Sequence, residues 1–313
     1  ERATHLLPQF LRPRNFDCDL ALDGIRQMLW GFFKKVVVAD NCALFVNGVF
    51  ENYQTLDGST LFLGAFFFTI QIYGDFSGYS DIAIGCARLF GIDLMQNFKY
   101  PYFSRDIAEF WRRWHISLTT WFRDYIYIPL GGSRAGKWKS FRNTIVILVS
   151  GFWHGANWTF VAWGAYHALL FLPLLLLGQN RRYRDSVAEN SFLPSVKELT
   201  QMGVTFLLVL LGWILFRSED ISQAAVYLER MFNASLFSAP QLVGLGFGQL
   251  LLKKCFFFTA LMFVVEWIGR KQAHGLMIED LSLPVRYVIY TVLLIIIYGF
   301  DASNPQGFIY FQF

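Results

Sequence analysis

The residues of this chain that can carry chemistry are histidines set among aromatics. Ser150 to Trp158 reads SGFWHGANW, which places His154 between two glycines and two tryptophans inside an apolar stretch. An ionisable side chain at membrane depth is costly and marks a functional site by default. Neutral imidazole is cheaper to bury than a carboxylate, so a structural, hydrogen-bonded histidine is the competing reading. His115 lies in Arg105 to Asp124, RDIAEFWRRWHISLTTWFRD, which separates into two arcs on a helical wheel of about 100° per residue. Ile107, Phe110, Trp111, Trp114, Leu118, Trp121 and Phe122 fall on one side; Arg105, Glu109, Arg112, Arg113, Thr120, Arg123 and Asp124 fall on the other. His115 sits at the border, where an interfacial anchor is the plainest reading. His167 reads as structural, and His5 and His274 lie in polar segments.

The chain has no Walker lysine motif, no GxGxxG, no HExxH and no GxSxG, so phosphoryl transfer, dinucleotide redox chemistry, zincin proteolysis and serine hydrolysis lack their usual support. Cys18, Cys42, Cys86 and Cys255 stand far apart without metal-ligand spacing and read as buried thiols; no metal site is expected. Asp75 and Asp81, six residues apart, face different directions on a helix and form no acid/base dyad; each is expected to cap or hydrogen-bond a neighbouring broken helix. What remains is histidine chemistry, suited to general-base activation of a hydroxyl that a substrate brings.

The composition dictates which elements must hold these residues. With 34 Phe, 14 Tyr and 10 Trp, the chain is 55% hydrophobic and only 16% charged, against roughly a quarter charged in a soluble domain. A soluble globular enzyme is excluded by that shortage of polar surface. A disordered chain is excluded by the hydrophobicity, and a nucleic-acid binder by the lack of a dominant basic face. Apolar stretches of membrane-spanning length run from Leu61 to Phe90, Trp158 to Leu177, Val196 to Phe216 and Val285 to Phe300; Cys255 to Ile268 is short and is expected to begin near Leu250. Met28 to Phe50 is ambiguous, since Lys34 and Lys35 inside it are placed to snorkel to an interface.

Between Pro101 and Arg142, eight basic residues face three acids, a surplus of five in a chain whose formal net charge is +4. By the positive-inside rule this block faces the cytoplasm, as does Gln179 to Glu198. Thr144 to Leu177 must then enter and return, as a re-entrant hairpin whose Gly151, Gly155 and Gly164 permit close packing. The expected fold is all-α: a multi-span helical bundle in a membrane, with an interfacial amphipathic helix and a re-entrant segment. No repeat or low-complexity linker divides residues 1–313, so one membrane domain is expected. The start at Glu1, without an initiator Met or signal segment, predicts further spans upstream.

Four blocks resemble the membrane-bound O-acyltransferase (MBOAT) family, in the bacterial branch typified by alginate O-acetylation proteins. They are QIYGDFSGYSDIAIG (Gln71 to Gly85), FWRRWHISLTTWFRDYIYIPLGGSR (Phe110 to Arg134), SGFWHGANW and the tail FIYFQF (Phe308 to Phe313). The resemblance implies that His154 is the active-site histidine and His115 a second polar catalytic position. It implies an acyl thioester donor such as acetyl-CoA, no permanently bound cofactor, and Arg112, Arg113 and Arg123 near the donor. It further implies transfer of acetyl toward an exported polysaccharide such as alginate, with a periplasmic acetyltransferase or esterase-like partner and the lipid bilayer around the chain. Tyr310 is the tail's sole nucleophile, and related systems place a C-terminal tyrosine at the tunnel mouth, which implies an acyl relay; an aromatic anchor is the alternative. A transporter with an intramembrane His/Asp path, or a non-enzymatic scaffold of an export complex, are the rival functions.

Overall fold

The computed structural model describes residues 1–132, 139–242, 248–300 and 307–308, with the backbone alone for 139–144. Among these, the α-helices are α1 (Ala3–Phe10), α2 (Cys18–Phe32), α3 (Asp40–Glu51), α4 (Gly58–Leu89), α5 (Ile107–Arg113), α6 (Ile116–Phe122), α7 (Lys139–Trp153), α8 (Trp158–Leu176), α9 (Val196–Arg217), α10 (Ile221–Met231), α11 (Gln249–Ile268) and α12 (Leu283–Gly299). They form two compact units. One comprises Glu1–Gly48, Phe67–Asn97 and Leu242–Gln312; the other comprises Val49–Phe66 and Phe98–Gln241. Of the expected spans, α8 and α9 are long and apolar enough to cross a membrane, with mean hydropathy 1.7 and 2.0, and α12 is a shorter apolar helix. The stretch expected over Cys255 to Ile268 begins at Gln249, one residue before the expected Leu250.

In the first unit, Asp17 opens α2 by accepting the Leu20 amide proton at 3.0 Å, which satisfies one of the helix's orphan donors. The helix widens at Phe33–Ala39 into a π segment before α3. A π turn leaves carbonyls without their usual partners, and Asn41 donates its side-chain amide to Val37 at 2.9 Å and Val36 at 3.4 Å. Lys34 and Lys35 do not snorkel. Lys34 Nζ lies 2.6 Å from Asp81 and 3.9 Å from Glu266, and Lys35 Nζ lies 2.8 Å from Asp40 and 2.6 Å from Asp75. Asp81 therefore neutralises buried Lys34 and also accepts from the Gln27 side chain of the neighbouring α2 at 2.8 Å, Asp75 pairs with half-buried Lys35, and α4, which carries both carboxylates, is unbroken. The glycines of that segment serve close approach: a Cβ at Gly31 would lie 2.6 Å from the Gly78 carbonyl, and one at Gly78 would lie 2.7 Å from the Gly31 carbonyl. Seven residues further along α4, Gly85 meets Gly24 of α2 in the same way. Small residues at two successive contacts along the α2–α4 crossing let the backbones touch.

In the second unit, α7 and α8 form a hairpin. Gly151 and Gly164 bring the two backbones together, a Cβ at either being 3.1 to 3.3 Å from the other's Cα. Ser195 and Glu198 close a capping box that starts α9. Tyr227 of α10 stacks on Phe50 with ring centroids 4.6 Å apart and donates its hydroxyl to the Leu61 carbonyl at 2.7 Å. Cys42 and Cys255 are buried, as expected, but Cys18 and Cys86 are exposed; the four thiols are free.

Candidate active site

His154 occupies the turn between α7 and α8. Its amide donates to the Gly151 carbonyl at 3.0 Å, which ends α7. Asn157 then starts α8 by accepting from the Thr159 amide at 3.1 Å, while its own amide group donates to the Glu219 carbonyl at 2.7 Å. The turn is thus pinned at both ends, and the imidazole between them is half-buried among Trp153 (centroids 5.1 Å), Phe216 (5.1 Å), Trp163 (5.3 Å) and Phe160 (6.2 Å). The aromatic walls leave the ring reachable, a setting in which an imidazole can serve as general base for an incoming hydroxyl.

His115 is not on a continuous helix. Arg105 to Asp124 breaks after α5: Trp114 is extended and His115 adopts the left-handed conformation (φ 43°, ψ 54°) at the head of α6. A π turn, Arg123–Tyr127, follows α6. The expected arcs do not sort by exposure either. Arg105, Glu109 and Arg113 of the charged arc are buried, whereas Trp121 of the aromatic arc is 41% exposed. Left-handed backbone is costly for a residue with a Cβ, and it persists where the surrounding structure imposes it, often at functional sites. Here it delivers the imidazole to Trp153, ring centroids 6.4 Å apart. Burial, and then the nearby His154, push the His115 pKa down to about 3, so this ring is neutral at physiological pH.

The three arginines separate. Arg113 Nη2 donates to Glu109 at 2.7 Å and to the Asp185 carbonyl at 3.1 Å; Arg112 donates to the carbonyls of Asn180 (2.7 Å) and Tyr183. Both line one groove with the segment 181–186. Arg123, 58% exposed, is paired with its neighbour Asp124 at 2.6 Å and is not among the groove's lining residues. Tyr310 lies outside the described residues.

His167, read as structural, is fully buried against Trp111 (4.9 Å) and Trp163 (5.0 Å), and a Cβ at Gly212 of α9 would lie 2.7 Å from its Nε2. Neither of its ring nitrogens, nor the indole N–H of Trp111, Trp163 or Trp213, has a hydrogen-bond partner among the described residues. The sequence signal for this cluster was present in the tryptophans of α5 and α8, but their convergence was not.

The family model of the membrane-bound O-acyltransferases matches residues 25–191, which take in α5, the break at His115 and the His154 hairpin. The chain belongs to that family. This MBOAT chain is 40% identical over 257 residues to a Pseudomonas aeruginosa protein named "Probable alginate O-acetylase AlgI", covering 80% of this chain and 47% of the relative. It is 38% identical over 224 residues to the peptidoglycan O-acetyltransferase of Helicobacter pylori, covering 71% of this chain and 40% of the relative. Teichoic acid D-alanyltransferase of Bacillus subtilis is 28% identical over 214 residues, 64% of this chain and 52% of that protein. The MBOAT chain therefore spans about half the length of these relatives.

Proposed function

We propose that this chain carries the catalytic centre of an O-acyltransferase that moves an acyl group, acetyl above all, from a cytoplasmic thioester toward an exported polysaccharide such as alginate. The observation that carries this reading is the pinned His154 turn, with the neutral His115 ring reaching the same tryptophan. Family membership and relatives whose names describe transfer of acetyl or D-alanyl to alginate, peptidoglycan or teichoic acid support it.

An acceptor hydroxyl attacks the thioester carbonyl carbon, and its proton passes to His154 as the new C–O bond forms. The C–S bond then breaks, and the departing thiolate takes the proton back from His154. His115, uncharged, orients the donor or hydrogen-bonds the developing oxyanion. Trp163 packs on His154 with ring centroids 5.3 Å apart and holds that ring in place. The α7–α8 hairpin acts as a re-entrant element in a multi-pass inner-membrane protein, and no permanently bound cofactor is required. Arg112 and Arg113 sit at the donor's approach, and Arg123 at its edge. The attacking hydroxyl is the Tyr310 phenol, which holds the acyl group as an ester until a nucleophile of a periplasmic acetyltransferase or esterase-like partner attacks that ester and the phenol leaves with a proton.

A transporter path through Asp75 and Asp81 is disfavoured, because both carboxylates are already paired with Lys35 and Lys34. Mass spectrometry of ester groups on the host's glycans, with and without this protein, tests the reading. Loss of O-acyl groups from one polymer is expected, and an unchanged profile would reject it.

A further inference from the structure

The groove beside α5 encloses about 330 Å³ and is lined by five cations, Lys99, Arg112, Arg113, Arg181 and Arg184, against two acids, Glu109 and Asp185. These charges do not play equal parts. Glu109 is 1% exposed and forms the floor, accepting from Arg105 at 3.0 Å and from Arg113 at 2.7 Å. Asp185 is turned toward Arg105, 3.4 Å away. Arg105, Arg112 and Arg113 hold the loop that forms the opposite wall through its own carbonyls: Arg105 and Arg113 bind that of Asp185, and Arg112 binds those of Asn180 and Tyr183. Three cations are left over. The side chains of Lys99, Arg181 and Arg184 make no hydrogen bond or ion pair among the described residues, yet the walls they stand on are fixed.

Cations gathered around one concavity repel each other, and that arrangement is stable where an anion joins them. Buried Glu109 and exposed Asp185 already answer Arg105 and Arg113, so the surplus belongs to the rim. A carboxylate brings a single charge, whereas a phosphate monoester brings about −1.5 to −2 at neutral pH and three acceptor oxygens. Guanidinium forks match those oxygens two at a time.

We infer that this groove is a phosphate-binding site, with Arg181, Arg184 and Lys99 contacting the phosphate and Arg112 and Arg113 holding the wall. The phosphate arrives on one of two carriers, the nucleotide end of an acyl-thioester donor or the headgroup of an anionic phospholipid. The first carrier rests on the acyl-transfer reading; the site itself does not.

The test is binding without turnover on the whole protein purified in detergent, for wild type and for Arg181→Gln with Arg184→Gln. Both positions are exposed and their side chains make no bond among the described residues, so the fold is expected to survive; Lys99→Gln serves as a second, single-site variant. The probes are acetyl-CoA and S-acetylpantetheine, which lacks phosphate, and the phosphorus content of co-purifying lipid is measured alongside. With the donor as carrier, wild type binds acetyl-CoA at least about tenfold more tightly than S-acetylpantetheine, and the variants lose that ratio. With a lipid as carrier, the ratio is unchanged and the variants retain less phospholipid. If neither quantity differs between wild type and variants, the groove binds no phosphate and the inference is overturned. Failure of the acyl-transfer reading would show separately, as absence of turnover by wild type.

Discussion

His115 and His154 both pack against the indole of Trp153, with ring centroids 6.4 Å and 5.1 Å from it. His154 gets there through a pinned turn. His115 gets there only because the chain turns left-handed between α5 and α6.

That backbone makes the first prediction. His115→Asn, which tolerates the left-handed region, should keep the fold while removing the imidazole. His115→Val should destabilise by about 1–3 kcal/mol, because a β-branched residue is strained there. Thermal unfolding in detergent checks this, and equal midpoints for the two variants would count against a structural demand at this position.

A second prediction concerns pH. The folded protein takes up a proton at His115 only near pH 3, whereas the unfolded chain does so near the ordinary value of 6.5. The unfolded state thus binds more protons between those values, so this residue's contribution is full above about pH 6.5 and is lost as pH falls toward 3. Melting temperature should decline more steeply from pH 7.5 to 5 in wild type than in His115→Gln. Parallel curves would show that the ring is not held neutral.

A third prediction follows from the α2–α4 crossing. Gly78→Ala puts a methyl 2.7 Å from the Gly31 carbonyl and should cost about 1–3 kcal/mol through overpacking. Gly203→Ala, in α9 with nothing within 4 Å of its added Cβ, should be neutral or stabilising by up to about 1 kcal/mol. The same unfolding measurement ranks the two, and a harmless Gly78→Ala would mean the helices are free to separate.

A fourth prediction concerns Tyr310. Tyr310→Phe preserves the ring and removes the hydroxyl, so if the phenol relays acyl groups, polymer acylation should fall to background. Wild-type acylation in that variant would make the tail an anchor.

Much of the architecture was legible because long apolar runs and glycine placement are local signals. They located α8, α9, α11 and α12 and the Gly151–Gly164 contact. The break at His115 was hidden, because a wheel assumes the very continuity that a single left-handed residue destroys. Lys34 and Lys35 looked like snorkelling residues because their partners Asp81 and Asp75 lie on another helix. Within the site, His154 announced itself by its setting. The groove did not, since Lys99, Arg112 and Arg181 come from three separate stretches and only Arg112 lay in the recognised motif.

The central claim is that His154 takes the proton from the attacking hydroxyl. Its most direct test is the rate of acyl-thioester consumption, with acetyl-CoA as donor, by the whole protein carrying His154→Ala, against wild type at equal folded concentration. The account predicts a fall of about 10²- to 10⁴-fold with the melting temperature nearly unchanged; wild-type turnover by the variant would contradict it.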